Sequence, residues 1–175
     1  MGSDLEIRDS EAVDLDAIES LYREAFPDED LLPLVRSLLP DTAIATSLVA
    51  AVGDQVVGHV VFTICGMVEK NARAALLGPL GVLPAWHGQG IGSALVRTGL
   101  LRMTETQVRY VCVLGDPAFY GRLGFRPESS IQPPFRLPPE YEGAWQSQKL
   151  GTFSGDYSGK LSVPRQWDEE SLWVP

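Results

Sequence analysis

The stretch PAWHGQGIGSALV, residues 84–96, decides how the rest of the sequence is interpreted. Three glycines stand at alternate positions in it, Gly88, Gly90 and Gly92, and an apolar run begins directly after them. The spacing is not GxGxxG, because Ser93 stands where the third glycine would be, and it is not a P-loop, because no lysine follows. On spacing alone, the glycines are compatible with a flexible turn or with a loop that binds a ligand.

The elements on either side of these glycines favour a binding loop. The run before them is predicted to be a strand (residues 76–84), and the run after them is predicted to be a helix (residues 91–106). One face of this helix is apolar and consists of Ile91, Leu95, Gly99 (or Leu100) and Met103. The first N–H groups of a helix lack partners within it, and its dipole favours negative charge there. A diphosphate is therefore the ligand that this position favours.

The predicted strand before the loop contains residues that disfavour a strand. Pro79 cannot donate a ladder hydrogen bond, and Gly78 and Gly81 weaken a strand interior. Either the segment is no strand, or it is a central strand with a bulge, splayed from its neighbour, with backbone groups left free for a ligand. The adjacent glycine loop favours the second interpretation.

The other elements follow from periodicity and turn residues. They are predicted in this order: a strand at Ile7-Arg8, helices over 10–26 and 28–39, a hairpin over 46–66, a looser link over 67–75 and a buried strand over 108–115. The apolar positions of the first helix are Val13, Ala17, Ile18, Leu21 and Ala25. The helix between the last two strands predicts parallel neighbours. Prolines become dense from Pro127 onward, and the pieces 145–151 and 159–164 are expected to add antiparallel strands.

Composition limits the possible functions. The 175 residues are 45% hydrophobic and 21% charged, which is typical of one globular domain, and the net charge of −9 gives no reason to expect nucleic-acid binding. The N-terminal residues do not resemble a signal peptide, and no apolar run is long enough to span a bilayer, so we expect a cytoplasmic protein without membrane contact. Cys65, Cys112 and His59 are expected in the core, and no metal site is predicted.

Three stretches together resemble the GNAT family of acetyl-CoA-dependent N-acyltransferases. IRDSEAVDLDAIESLYREAF resembles the opening strand and helix of that family, and LGVLPAWHGQGIGSAL resembles its central signature, V-x-P-x-[WYH]-[RQ]-G-x-G-[IV]-[GA]. DPAFYGRLGF resembles its Y-x-x-x-G-F segment, from Tyr120 to Phe125. The resemblance covers about residues 5–127 in the right order.

The resemblance implies a fold. It is an α/β (α+β) single domain over residues 1–175, with a mixed central sheet splayed between its fourth and fifth strands and flanked by helices. Residues 5–127 would form the core of this domain. The Pro-rich extension, residues 128–175, would complete the sheet.

The resemblance also implies the roles of individual residues. The backbone of Leu80, Gly81 and Val82 would hold the pantetheine arm of acetyl-CoA and polarise the thioester carbonyl. The cradle for the pyrophosphate would consist of Gly88, Gln89, Gly90, Ile91, Gly92 and Ser93. His87 stands where the family usually has Arg or Gln, so a side-chain contribution to phosphate binding is in doubt there. Tyr120 would be the general acid, or else an aromatic residue that packs beside Phe119 and Phe125.

The implied reaction is transfer of an acetyl group from acetyl-CoA to a primary amine of a small molecule or a protein. The general base stays open, because the strand before the loop has no carboxylate; Glu24, Glu29 and Glu69 are candidates, as is a water relay. The acceptor is expected between the two N-terminal helices and the Pro-rich tail. Homodimers are common in the family, but the sequence shows no interface. The alternatives are a non-catalytic acyl-CoA-binding or regulatory module on the same fold, and a loop for another nucleotide such as NAD or ATP.

Overall fold

The computed structural model describes residues 4–68, 70–151 and 155–174, and they form four helices and nine strands. The helices are α1 (Leu15–Ala25), α2 (Leu32–Leu38), α3 (Ile91–Thr104) and α4 (Pro117–Tyr120). The strands are β1 (Leu5–Asp9), β2 (Ala45–Val52), β3 (Gln55–Met67), β4 (Lys70–Val82), β5 (Val108–Leu114), β6 (Arg126–Pro127), β7 (Ile131–Gln132), β8 (Trp145–Lys149) and β9 (Gly159–Ser162). No helix among these residues is both long and apolar enough to cross a membrane.

The strands form one mixed sheet in the order β1-β2-β3-β4-β5-β8-β6, and β9 pairs with both β3 and β7. The β4–β5 pair is parallel, whereas β1–β2, β3–β9, β5–β8 and β6–β8 are antiparallel. The predicted mixed sheet flanked by helices is thereby confirmed. The two late strands expected from the sequence are β8 and β9.

Strand β4 continues beyond its pairing with β5. Residues 73–77 pair with residues of β5 between 108 and 113, and β4 then runs on to Val82 through a cis Gly78–Pro79 peptide. The segment with Gly78, Pro79 and Gly81 is therefore a strand. Its ladder with β5 ends at Leu77, which agrees with the expected splay between the fourth and fifth strands.

The looser link predicted over residues 67–75 is wrong, because most of it belongs to the sheet. Strand β3 extends to Met67, and β4 begins at Lys70. Gly66 and Met67 pair with Ser162 and Leu161 of β9, and Arg73 pairs with β5. These partners are far away along the chain, and local residue preferences do not reveal them.

The Cα packing divides the chain into two compact units. The first contains the residues up to Phe62 and Gly78–Leu101, and the second contains Thr63–Leu77 and the residues from Arg102 onward. Strands β3 and β4 have residues in each unit. The single domain with its Pro-rich extension stays a prediction.

In the first unit, α1 and α2 bury one apolar face each. The buried residues of this cluster are Ile18, Leu21, Tyr22, Val35, Val49 and Val56. Helix α1 begins at Leu15 after a 3₁₀ turn, in which the Asp14 carboxylate accepts a hydrogen bond from the Glu11 N–H at 2.7 Å. Val13, predicted on the apolar face, is exposed because it lies in the 3₁₀ turn, where the helical periodicity does not hold; Ala17, inside α1, is exposed as well.

Helix α3 lies on β3 through two glycines. A Cβ atom on Gly99 would lie 1.9 Å from Cε2 of Phe62, and one on Gly58 would lie 2.9 Å from Cδ1 of Leu95. The predicted apolar face is confirmed, since Ile91, Leu95, Gly99 and Met103 are buried. This close packing fixes the first turn of α3, and with it the end of the glycine loop.

In the second unit, tryptophans of the C-terminal segment form buried hydrogen bonds. Trp173 donates its indole N–H to the Trp167 carbonyl at 3.0 Å, and Trp167 donates to Oγ1 of Thr63 at 3.2 Å. Cys65 and Cys112 are buried free thiols, as predicted. Burial raises the pKa of Cys65 to about 12 and raises that of Cys112 as well, so neither is a reactive thiolate at neutral pH.

Candidate active site

The glycine loop, residues 87–90, connects the 3₁₀ turn Pro84–Trp86 to α3. Gly88 has φ +76° and Gly90 has φ +79°, a region that side-chain-bearing residues rarely adopt. A Cβ atom on either glycine would meet nothing within 4 Å. Packing therefore does not account for these two glycines, whereas their backbone conformation does.

The loop ends at the free N–H groups of a helix start. The first hydrogen bond of α3 runs from the Ala94 N–H to the Gly90 carbonyl at 3.0 Å, so residues 91–93 precede it and have no acceptor within the helix. Residues 88–90 are exposed, whereas the Ile91 side chain is buried and leaves only its backbone for a ligand. The structure thus brings residues 88–93 together as one open turn that fits an anion such as a diphosphate.

His87 bonds to β4. Its Nε2 lies 2.8 Å from the Val82 carbonyl oxygen, and because a carbonyl only accepts, Nε2 carries the hydrogen. The exposed ring therefore connects the glycine loop to the last residue of the strand. Sequence reasoning missed this bond, and a contribution of His87 to phosphate binding stays a prediction.

The β4 end, residues 78–82, approaches α1 closely. A Cβ atom on Gly81 would lie 2.8 Å from Cδ2 of Leu21 and 3.2 Å from Cε1 of Tyr22, so a larger residue there would require the Leu21 side chain to move. The Tyr22 hydroxyl lies 3.4 Å from the Pro79 carbonyl oxygen. The next residue after the strand, Leu83, donates its N–H to the Val57 carbonyl of β3 at 2.9 Å. Residues 80–82, which the resemblance assigns to the pantetheine arm, are thus held by α1 and β3.

His59 is the satisfied core histidine that its apolar surroundings predict. It has no exposed surface; Nδ1 lies 2.8 Å from the Tyr22 hydroxyl, and Nε2 lies 2.7 Å from the Ser47 hydroxyl. Burial lowers the pKa of His59 to about 3, against the opposing attraction of Asp14, so the ring is neutral at physiological pH. Sequence reasoning missed Tyr22 and Ser47 as its partners, because the three residues come from separate elements.

Tyr120 lies in the second unit, at the end of α4. The Asp116 carboxylate caps this helix by accepting from the Ala118 N–H at 2.9 Å. The Tyr120 ring packs edge-on against Phe119 and Phe125, with centroid distances of 4.8 and 5.5 Å. Burial raises the pKa of its hydroxyl, which therefore stays protonated at neutral pH. The ring packs as the plainer interpretation expects, and its role as an acid stays a prediction.

The candidate bases are not distinguished by burial. Glu24 and Glu29 are exposed, and Glu69 lies outside the described residues. Glu29 lines a cavity of about 380 Å³ where α1 is followed by α2. The other residues around this cavity are Tyr22, Arg23, Phe26, Pro27, Asp28, Asp30, Leu31 and Leu32. In the described ranges, no group of three His, Cys, Asp or Glu residues could hold a metal ion.

Comparisons with known proteins give the class to which this mixed sheet, the prolonged fourth strand and the open turn at the start of α3 belong. Residues 43–127 match the family model described as an acetyltransferase (GNAT) domain. The uncharacterized N-acetyltransferase YjhQ of Escherichia coli is 32% identical over 148 residues, which cover 81% of this chain and 80% of YjhQ. The chain belongs to the GNAT family.

Two solved structures resemble the fold over nearly its whole length. YhbS, a GNAT family N-acetyltransferase from Escherichia coli solved in complex with CoA, is 26% identical and superimposes with a TM-score of 0.83, covering 95% of this chain and 93% of its own. A GNAT family acetyltransferase from Brucella melitensis, solved with acetyl-CoA, is 26% identical with a TM-score of 0.75, covering 95% and 99%. The chain is thus an acetyl-CoA-dependent acyltransferase.

Proposed function

We propose that this protein transfers the acetyl group of acetyl-CoA to a primary amine of a small molecule or a protein, by direct attack in a ternary complex. The observation that carries the proposal is the open turn with positive φ at Gly88 and Gly90, directly before the unpaired N–H groups of α3. The relatives solved with CoA and acetyl-CoA support the same ligand for this turn.

In this proposal, residues 88–93 hold the pyrophosphate through backbone N–H groups and the dipole of α3. The backbone of residues 80–82 holds the pantetheine arm and donates to the thioester oxygen. Such a donor stabilises the oxyanion that develops during attack by about 2–4 kcal/mol. His87 supports the site through its bond to the Val82 carbonyl, whether or not it also contacts phosphate.

The transfer needs one new bond, one broken bond and two proton movements. The neutral amine attacks the thioester carbon, the C–N bond forms and the C–S bond breaks. The departing thiolate takes a proton from Tyr120, whose buried hydroxyl is protonated at neutral pH. The amine loses a proton to a base or to water, and no described carboxylate is assigned to that step. Tyr120 then regains its proton from solvent.

The binding site is tested by Gly90→Ala. The substitution places a side chain at φ +79° inside the proposed cradle, so affinity for CoA should fall at least tenfold, by titration calorimetry. Gly155→Ala is the matched control, because Gly155 has φ +93° and its Cβ would also meet nothing within 4 Å. Both variants carry similar backbone strain, so only a binding role separates them. Equal affinity in the two variants would contradict the cradle.

Binding in the wild type has its own readout. With acetyl-CoA at a hundred times its Kd, the free energy of unfolding should rise by about 2.7 kcal/mol. NAD and ATP serve as comparison ligands, and a larger shift with either would redirect the assignment of the loop.

The acid role is tested by Tyr120→Phe, which removes the hydroxyl and keeps the packed ring. Acetyl-CoA-dependent thiol release with a responsive amine should fall about 10²-fold or more, while CoA affinity stays unchanged. Tyr110→Phe is the control, because it also removes a hydroxyl from a buried tyrosine, one bonded to Asp156 and given no role in the proposed reaction. Full activity in Tyr120→Phe would remove this residue from the mechanism. Absence of turnover across a broad amine panel, with CoA still bound, would favour the non-catalytic alternative.

The remaining partner assignments also belong to the proposal. The net charge of −9 favours a cationic acceptor over an anionic one, and nucleic acid and membranes are not expected as partners. A homodimer stays a prediction, which light scattering would test by measuring the molar mass in solution. A cytoplasmic location also stays a prediction, which cell fractionation would test.

A further inference from the structure

A chain of four hydrogen-bonding side chains runs through the first unit to the β4 end. The Ser10 hydroxyl lies 2.7 Å from the Ser47 hydroxyl, and Ser47 lies 2.7 Å from Nε2 of His59. Nδ1 of His59 lies 2.8 Å from the Tyr22 hydroxyl, which lies 3.4 Å from the Pro79 carbonyl oxygen. We call these four residues the His59 chain. The mechanism above uses none of them.

The contact with the Pro79 carbonyl, at 3.4 Å, favours one direction for the hydrogens. The Pro79 carbonyl only accepts, so Tyr22 donates to it, and the Tyr22 oxygen then accepts from Nδ1–H of His59. A neutral imidazole has one N–H, so Nε2 accepts from Ser47, and Ser47 accepts from Ser10. In this arrangement every contact of the His59 chain carries a hydrogen. The opposite tautomer would turn the Tyr22 hydrogen away from Pro79.

The burial of the chain favours this single arrangement. His59 has no exposed surface, and only 1% of Tyr22 is exposed. Asp14 is the charged group that acts on His59, and it is itself held by Arg8 at 2.7 and 2.9 Å. The ring of Tyr22 also packs edge-on against His59, with centroids 5.5 Å apart. The hydroxyl of Tyr22 is therefore held at one place.

The β4 end thus receives a side-chain donor near each of its ends. Tyr22 lies against the Pro79 carbonyl, and His87 donates to the Val82 carbonyl at 2.8 Å. Between them, Gly81 packs closely against Leu21 and Tyr22. Residues 80–82 are the ones that the proposed function uses to orient the thioester.

We propose that Tyr22, oriented by His59 and Ser47, is a positioning residue that holds the β4 end in the conformation required for acyl transfer. The proposal rests on the proposed function, because it assigns the β4 end to the thioester. It predicts an effect on the rate of transfer rather than on the binding of the pyrophosphate, which uses residues 88–93. Tyr22 and His59 themselves contact neither substrate in this account.

The direction of the hydrogens is tested by nitrogen-15 NMR of the histidine side chains. The sequence has only two histidines, so one His87→Ala variant assigns both signals. His59 should show the Nδ1–H tautomer in the wild type and should not titrate between pH 5 and about 8. An Nε2–H tautomer, or a titration in this range, would overturn the proposal. This readout needs no turnover, so it tests the direction of the hydrogens independently of the proposed function.

The positioning role is tested by Tyr22→Phe, which keeps the ring against Gly81 and removes the hydroxyl. We expect kcat for acetyl transfer to fall about tenfold or more, with KM for acetyl-CoA changed less than about threefold. Tyr110→Phe is the control, because it also removes a hydroxyl from a buried tyrosine, one bonded to Asp156 in the second unit. Unchanged kcat in a folded Tyr22→Phe protein, or an equal loss in Tyr110→Phe, would overturn the proposal. A wild-type protein that binds CoA but transfers no acetyl group would instead refute the proposed function.

Discussion

At the scale of single residues, the burial of His59 determines how the fold responds to acid. The folded protein holds this ring neutral, with a pKa of about 3, whereas the unfolded chain binds a proton on it below its ordinary value of 6.5. The unfolded state therefore binds more protons than the folded state between these two values. The contribution that the buried neutral His59 makes to stability is therefore fully present above pH 6.5 and is lost as the pH falls toward 3.

This difference predicts a measurable slope. Well below pH 6.5, His59 should lower the free energy of unfolding by about 1.4 kcal/mol per pH unit. His59→Asn should be less stable at every pH, because it disrupts buried hydrogen bonds, but its slope between pH 6 and about 4.5 should be flatter by that amount. Urea unfolding at several pH values measures both slopes. Above pH 7 the two slopes should agree, and a parallel decline below pH 6 would contradict the buried neutral histidine.

The partners of single residues were the least predictable feature of the site. The sequence indicates that His59 is a core residue, because it lies in an apolar strand pattern. Its partners come from α1 and β2, and their approach depends on how three elements pack. The bond from His87 to Val82 spans only five residues, yet the resemblance directed attention to phosphate instead.

At the scale of elements, local signals sufficed wherever one segment carries the whole feature. The glycine loop and α3 are contiguous, and their boundary is set by the positive φ of Gly88 and Gly90 and by the apolar face after them. The same reasoning failed at Val13, because this residue lies in the 3₁₀ turn before α1. It also failed at residues 67–75, where pairing with β9 and β5 makes most of the segment a strand. Strand formation there depends on distant partners, which no local pattern encodes.

The end of β4 shows how an irregular strand becomes useful. Pro79 and the two glycines disfavour an ordinary central strand, and in the sequence only the adjacent glycine loop favoured a splayed strand over no strand at all. In the structure, α1 packs against Gly81, and side chains of Tyr22 and His87 lie against the two carbonyls near the ends of the segment. Support for this backbone thus comes from side chains and from a neighbouring helix rather than from a β5 ladder.

At the scale of the whole molecule, the C-terminal residues belong to the fold of the second unit. The Pro-rich composition after Pro127 predicted irregular connections and two late strands, and those strands are β8 and β9. The sequence did not indicate that Trp145, Trp167 and Trp173 pack together near the chain end. Aromatic residues separated by irregular segments give no periodic signal, so their cluster is visible only in the structure.

The cluster predicts a large and local effect on stability. Trp173 is 2% exposed and packs edge-on against Trp145, so Trp173→Ala should lower the free energy of unfolding by about 3–5 kcal/mol. Val174→Ala, at the exposed neighbouring position, should change it by less than about 0.5 kcal/mol. Urea unfolding measures both variants under the same conditions.

The same variant separates stability from ligand binding. The proposed pyrophosphate cradle consists of first-unit residues, whereas Trp173 belongs to the second unit. At a temperature where Trp173→Ala is still folded, its affinity for CoA should therefore match that of the wild type within about twofold. Titration calorimetry decides the point. A tenfold loss of affinity in the folded variant would show that the C-terminal residues take part in holding CoA, and the proposed CoA site would then need to include more than residues 80–82 and 88–93.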